Sequence, residues 1–148
     1  GKNGKRTVSL AEIFDKRISL DDGEFLMSLA LGEAARDART FYRRRTRDPR
    51  VDYPLVTLCM ARLAGEYRLA VGGAFGYPVR NTEVEGVITR GASSRRAGAP
   101  SGSGALADDA ASAFPDKYWD DLRGSSEYRR ALLAQSIEEG LETLGVES

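Results

Sequence analysis

Histidine is absent from the 148-residue chain, and cysteine occurs once. Without imidazole there is no Ser-His-Asp triad, no Cys-His pair, no side chain titrating near neutrality as a proton shuttle, and no histidine-bearing metal helix. A single thiol excludes an internal disulfide and a cysteine-based zinc centre. Neither sign of charge is in excess: 22 Lys plus Arg balance 22 Asp plus Glu, which argues against a whole-chain role in nucleic-acid packaging. No apolar run approaches the roughly 20 residues that span a bilayer. Residues 1–6 lead into no long apolar stretch of the signal-peptide kind, so a reducing, cytoplasmic setting is expected. Neither a phosphate-binding P-loop nor a G-x-G-x-x-G turn between strand and helix occurs. Hard chemistry on such a chain needs a cofactor or a second polypeptide.

What is present is an ordinary globular balance, 41% apolar and 30% charged, in a length that suits one domain. Residues 7–20 carry apolar positions with no sustained period, and Asp21-Asp22-Gly23 is a turn signal. Residues 24–31, Glu24-Phe25-Leu26-Met27-Ser28-Leu29-Ala30-Leu31, predict a short, well-buried strand. Residues 32–39 are small and polar and predict a loop. Residues 40–45 predict a second strand, closed by a turn at Asp48-Pro49. A hairpin follows: residues 55–63 run outward, Ala64-Gly65-Glu66 turns, and residues 67–75 return. Tyr67, Leu69 and Val71 alternate with Arg68 and Ala70, as one covered face of an antiparallel sheet requires. Gly72-Gly73 signals either a bulge or the close approach of a ligand or partner backbone.

Tyr77-Pro78 ends that strand, and Asn81 or Thr82 caps a short helix reaching about Ile88. Residues 91–104 have the composition of a flexible surface loop. Residues 105–113 predict a weak helix. The last helix is marked by a Ser125 or Ser126 cap, by Glu127 in the first turn, by a Leu133, Ile137, Leu141, Leu144 stripe, and by Gly145 at its end. Strands followed by helices, two of the strands joined tightly, predict an α+β fold: a small antiparallel sheet of about three strands packed with helices, the C-terminal one long.

Residues 36–50 set seven arginines against Asp37 and Asp48, a local charge of +5 in a neutral protein. Guanidinium forks bind phosphate, carboxylate or an acidic protein surface, and Phe41 and Tyr42 beside them could stack on a planar ring. The same density equally defends an exposed sheet edge against pairing with another sheet. A second cluster, Asp116 to Arg123, holds carboxylates that could neutralise part of the run or, with no ligand spacing to support it, bind a metal. Trp119 and Tyr128 read as core or cap packing, and Cys59, set among apolar neighbours, as an inert buried thiol.

Three segments, in order, resemble one family. Arg6-Thr7-Val8-Ser9-Leu10-Ala11-Glu12-Ile13-Phe14 with Leu20-Asp21-Asp22-Gly23-Glu24-Phe25-Leu26 resembles the stretch that closes the FAD-binding part of molybdenum hydroxylase flavoproteins, the flavin subunits of the xanthine dehydrogenase and carbon monoxide dehydrogenase type. Phe41-Tyr42-Arg43-Arg44-Arg45-Thr46-Arg47 and Asp52-Tyr53-Pro54-Leu55-Val56 are similar to the start of their C-terminal domain. Arg123-Gly124-Ser125-Ser126-Glu127-Tyr128-Arg129-Arg130 resembles the signature opening that domain's last helix.

The resemblance implies that residues 1–35 are the tail of an FAD-binding domain and residues 36–148 a C-terminal domain that closes over FAD. Molybdopterin would sit in a large partner subunit and [2Fe-2S] clusters in a small one, with electrons passing through the flavin to an acceptor. By position, Leu26 matches a residue packing on the flavin. Arg44 matches a basic position that is usually Lys, and Phe41 or Tyr42 would supply apolar walls. Arginine there keeps the charge but is wider and forked. The glycine-rich FAD-pyrophosphate loops of the family are missing, so either the chain is an excised fragment or the FAD-binding half is another chain, and the domain alone is expected to bind FAD weakly or not at all. The rival expectation is an arginine-rich module for single-stranded nucleic acid or an acidic protein; a third is a sheet face that docks a partner chain.

Overall fold

Alternation at Tyr67, Leu69 and Val71 produces the strand it predicts. In the computed structural model, which describes residues 4–48, 50, 52–96 and 102–145, these three side chains are buried while Arg68 and Ala70 are exposed. The chain opens with a one-turn helix α1 (Leu10–Ile13) and two-residue strands β1 (Phe14–Asp15) and β2 (Arg17–Ile18). Three longer strands follow: β3 (Arg39–Arg45), β4 (Val56–Leu63) and β5 (Glu66–Gly72). Helices α2 (Thr82–Arg96), α3 (Ser103–Ser112) and α4 (Ser126–Gly145) complete the fold. The sheet is antiparallel in the order β3-β4-β5, so the fold is α+β with a long C-terminal helix.

Register puts Tyr42 opposite Cys59 and Cys59 opposite Ala70 on one face, and Phe41 opposite Met60 and Met60 opposite Leu69 on the other. The second face is covered. Val56, Leu58, Met60, Leu69 and Val71 form one core with Val84 and Ile88 of α2, Ala107 and Ala110 of α3, and Leu133 and Ile137 of α4. At about 25 cal/mol per Å² of apolar surface, this burial is the principal term holding the domain together. Helix α4 lies close to the sheet because Gly140 has no side chain: a Cβ there would stand 2.7 Å from Met60 Sδ and 3.1 Å from Phe41 Cδ1.

Both free ladders of the sheet are managed. On the β5 side, Glu85 Oε1 accepts from Leu69 N at 3.0 Å and Thr89 Oγ1 from Tyr67 N at 3.0 Å, so α2 stands in for a fourth strand. Beyond them Val71 and Val79 exchange two backbone bonds of 2.8 Å. The β3 side is an outer edge set with arginines, a composition that resists edge-to-edge pairing.

Several expectations are corrected. Residues 24–31 form no strand: they run without regular structure, and Phe25, Met27, Leu29 and Leu31 are exposed by 62–87%. Among the described residues no neighbouring strand accepts their backbone groups, so the apolar run is not buried against a sheet. The 32–39 loop contains a 3-10 turn, Glu33–Asp37. The helix capped by Asn81, whose Oδ1 accepts from Glu83 N and Val84 N, does not stop near Ile88 but reaches Arg96. Of the segment read as a loop, residues 91–96 are therefore helix and residues 103–104 open α3; residues 97–101 lie outside those described, as does Pro49 of the Asp48-Pro49 turn. Among the described residues no helix is long and apolar enough to cross a membrane.

Candidate functional site

The four residues singled out from the sequence do not form one cluster. Leu26 lies in the exposed stretch, 47% accessible. Strand alternation splits the adjacent aromatics: Phe41 faces α4 and packs on the core, whereas Tyr42, 60% accessible, faces away from the helices. Arg44 shares the outer face with Tyr42, and its Nη2 donates to the carbonyl of Asp52 at 2.5 Å. Arg44 and Tyr42 thus stand together, with Phe41 beneath the same strand.

That outer face has a shallow hollow of about 440 Å³, floored by Cys59, Ala61 and Ala70 and flanked by Thr40, Tyr42 and Arg68. Cys59 is exposed there, against the expectation of a buried thiol. Thr57, Cys59 and Ala61 are the outward half of β4's alternation, and Val56, Leu58 and Met60 the inward half.

The arginine run is largely engaged within the fold. Arg43 and Arg45 turn inward to Glu139 of α4, with Nε to Oε2 at 2.7 Å and Nη2 to Oε1 at 2.5 Å. Arg39 donates to the carbonyl of Thr143, and Arg47 to that of Leu122. The neutralising carboxylate is therefore on α4. The Asp116 to Asp121 cluster does not serve that purpose: Asp121 binds Arg123 and Arg129 instead, and Asp120 accepts from Ser126 N at the start of α4.

The signature at the start of α4 has a clear physical task. Arg129 is 1% exposed, and all three guanidinium nitrogens donate hydrogen bonds. Nη1 donates to the carbonyls of Leu55 at 2.8 Å and Gly73 at 2.9 Å, Nη2 to Asp121 Oδ1 at 2.7 Å, and Nε to the carbonyl of Gly124 at 3.3 Å. One buried cation thus ties the start of β4, the end of β5 and the 121–124 turn to the last helix. Desolvation pushes the Asp121 carboxyl up, but hydrogen bonds from Arg129 and Arg123 outweigh it and hold the group at about 2. The double glycine is explained in the same place. Gly73 has φ +75°, and a Cβ on it would meet the carbonyl oxygens of Pro54 and Leu55 at 2.8 and 3.0 Å, so the backbone approaching it belongs to this chain.

Beside this junction opens a second hollow, about 420 Å³, lined by Tyr53, Pro54, Gly73, Phe75, Trp119 and Arg123. Trp119, 46% exposed, and Tyr128, 50% exposed, are not in the core, which leaves the cap half of the expected core or cap packing. Trp119 is fixed by its amide, which donates to the carbonyl of Ala74 at 2.9 Å, and its ring lies over Gly76. Arg123 sits 6.0 Å above the centre of the Tyr53 ring. Sequence reasoning missed this hollow because its walls come from positions 53, 73–75 and 119–123. The available signal was a lone tryptophan and a glycine pair flanking two turns.

No protein-family model and no curated protein matches the sequence. Solved structures do match in fold. Carbon monoxide dehydrogenase from Hydrogenophaga pseudoflava lacking the Mo-pyranopterin moiety of its molybdenum cofactor superposes with a TM-score of 0.54 at 20% identity, over 78% of this chain and 38% of that chain. Reconstituted CO dehydrogenase from Oligotropha carboxidovorans does so with a TM-score of 0.51 at 16% identity, over 75% and 38%. The likeness is one of fold, and this chain spans 38% of the chains it matches.

Proposed function

We propose that residues 36–148 are the C-terminal domain of a molybdenum hydroxylase flavin subunit, that residues 1–35 are the tail of its FAD-binding domain, and that together they cover FAD. The observation that carries the reading is the bare apolar stretch at residues 24–31 leading into a domain whose fold is that of 38% of a carbon monoxide dehydrogenase chain. Such a stretch belongs against protein that lies outside this fold. Molybdopterin and [2Fe-2S] groups would then reside on partner subunits, large and small, in a cytoplasmic complex.

The residues fit a covering role. Cys59, Ala61 and Ala70 leave the outer sheet face low enough for a flat ring, Tyr42 rises beside it as an apolar wall, and Phe41 props the strand from below. Leu26 is exposed and offers a second apolar surface. Arg44, steadied by the Asp52 carbonyl, supplies positive charge. FAD, when bound, supplies the electron transfer between the iron–sulfur centres and an acceptor. The chain's own residues exclude water from the ring and set the potential near it; a neighbouring cation favours added electrons.

Arg44→Ala in the assembled flavoprotein tests the assignment. The flavin reduction potential should fall and the cofactor should be held less tightly. An unchanged potential with unchanged affinity removes Arg44 from the role.

A further inference from the structure

The hollow at the sheet end is the part of the molecule that neither the core nor the proposed lid explains. Two aromatic side chains stand at it with much of their surface in water, Tyr53 at 77% and Trp119 at 46%. Exposed aromatic surface normally costs free energy, and neither ring is folded into the core. Trp119 is anchored through its amide to Ala74, and Tyr53 carries the Arg123 guanidinium on its face. Gly73 contributes no side chain between them, so the floor is peptide backbone and Phe75. A volume of about 420 Å³ falls within the usual range of small-ligand sites.

Formal charge around the hollow balances, Arg123 and Arg129 against Asp121 and Asp120. Asp121 is shared by two guanidiniums, those of Arg129 and Arg123, so the trio keeps one positive charge in excess. The nearby Asp120 carboxylate is turned to the first turn of α4, where it accepts from Ser126 N and the helix dipole offsets it. Arg129 is buried; Arg123 is the cation that reaches solvent.

From this arrangement we infer that the Tyr53–Trp119–Arg123 hollow binds a planar heteroaromatic ring carrying an anionic substituent, a ligand of the mononucleotide type. The ring lies against Trp119 and Tyr53, and the anion meets Arg123. Stacking on aromatic side chains tolerates any base, so selectivity comes from the pairing of a flat ring with a phosphate rather than from base edges. The site is distinct from the outer face assigned to the lid, and it needs no flavin.

Trp119 is the only tryptophan in the chain, so its emission reports on this hollow alone. Adenosine monophosphate titrated into the intact chain should quench it saturably, with a dissociation constant on the order of 0.1–1 mM for so open a site. Adenosine should bind several-fold more weakly, and ribose 5-phosphate should not compete. By calorimetry, Tyr53→Ala and Trp119→Ala should each weaken binding about tenfold, while Trp119→Phe retains most of it and Arg123→Gln removes the advantage of the monophosphate over adenosine. Circular dichroism on each variant separates lost binding from lost fold. No saturation by about 10 mM, equal affinity for adenosine and its monophosphate, or unaltered binding in folded Tyr53→Ala would each overturn the assignment. Binding here is read on Trp119 and on variants of the hollow, and the flavin reading on the reduction potential of the assembled flavoprotein, so failure of one and failure of the other are told apart.

Discussion

Residues 24–31 and β4 are eight residues each, both dense in Leu and Met with apolar side chains at odd and even positions alike, yet they end in opposite states. Leu58 and Met60 are 0% and 2% exposed, whereas Leu29 and Leu31 are 71% and 87% exposed. Intrinsic preference does not separate them. Strand β4 is hydrogen-bonded on both sides, by β3 and β5, and α4 roofs it; residues 24–31 pair with no strand among the described residues. An apolar run becomes a strand only where neighbours satisfy its peptide groups, because an unpaired buried amide costs more than the side chains return. The nearer end of the stretch is tied by an ion pair and by the turn at Asp21, where Glu24 N donates to the Asp21 carbonyl at 2.9 Å. Glu24 accepts from the Arg6 guanidinium and the Asp21 amide, and these bonds hold its carboxyl at about 2.

Substitutions at matched leucines test the contrast most strongly. Leu58→Ala should destabilise the chain by about 2–5 kcal/mol in urea unfolding, the usual cost of a core cavity. Next in size is Arg129→Leu, which strands the Leu55 and Gly73 carbonyls in the interior and should cost about 3 kcal/mol in the same assay. A mild acid titration comes third. Asp121 in the fold ionises well below an ordinary aspartate near 3.9, so its contribution is complete above that value and is lost as pH falls from about 4 to about 2. Thermal melts across that window should show stability decreasing, and Asp121→Asn should flatten part of the slope. Smallest is Leu29→Ala, expected within about 0.5 kcal/mol of the parent. A loss comparable with that of Leu58→Ala would show that residues 24–31 pack within this chain after all.

The sequence made the local features plain and the long-range ones obscure. Helix α4 was legible because Leu133, Ile137, Leu141 and Leu144 repeat at the helical period and Ser125 Oγ caps the first turn, accepting from Tyr128 N at 3.2 Å. The β4–β5 hairpin was legible from its alternation and its Ala64-Gly65 turn, where both residues take positive φ. The end of α2 was not, because Gly91-Ala92-Ser93-Ser94 has loop composition. In the structure, Ser93 and Ser94 return their hydroxyls to the carbonyls of Thr89 and Arg90 at 2.8 and 3.0 Å and remain helical. Cys59 was misplaced because the outward positions Thr57, Cys59 and Ala61 of β4 are small and uncharged, which hid the phase of the strand. Of the candidate site, the positive charge at Arg44 and the aromatic at Tyr42 could be read from their neighbours in sequence. The hollow between Tyr53 and Trp119 could not, since it exists only once residues 66 positions apart are brought together by the Arg129 junction.

That junction also bears on the order of assembly. The Arg129 guanidinium reaches carbonyls 74 and 56 residues earlier in the chain, so its bonds require the hairpin and α4 to be docked. We expect bonds with that requirement to be weakly developed at the folding barrier, where such positions act mainly on the unfolding rate. Removing them should therefore quicken the escape from the native state while leaving the rate of its formation nearly untouched, which makes this one side chain a latch on the lifetime of the fold.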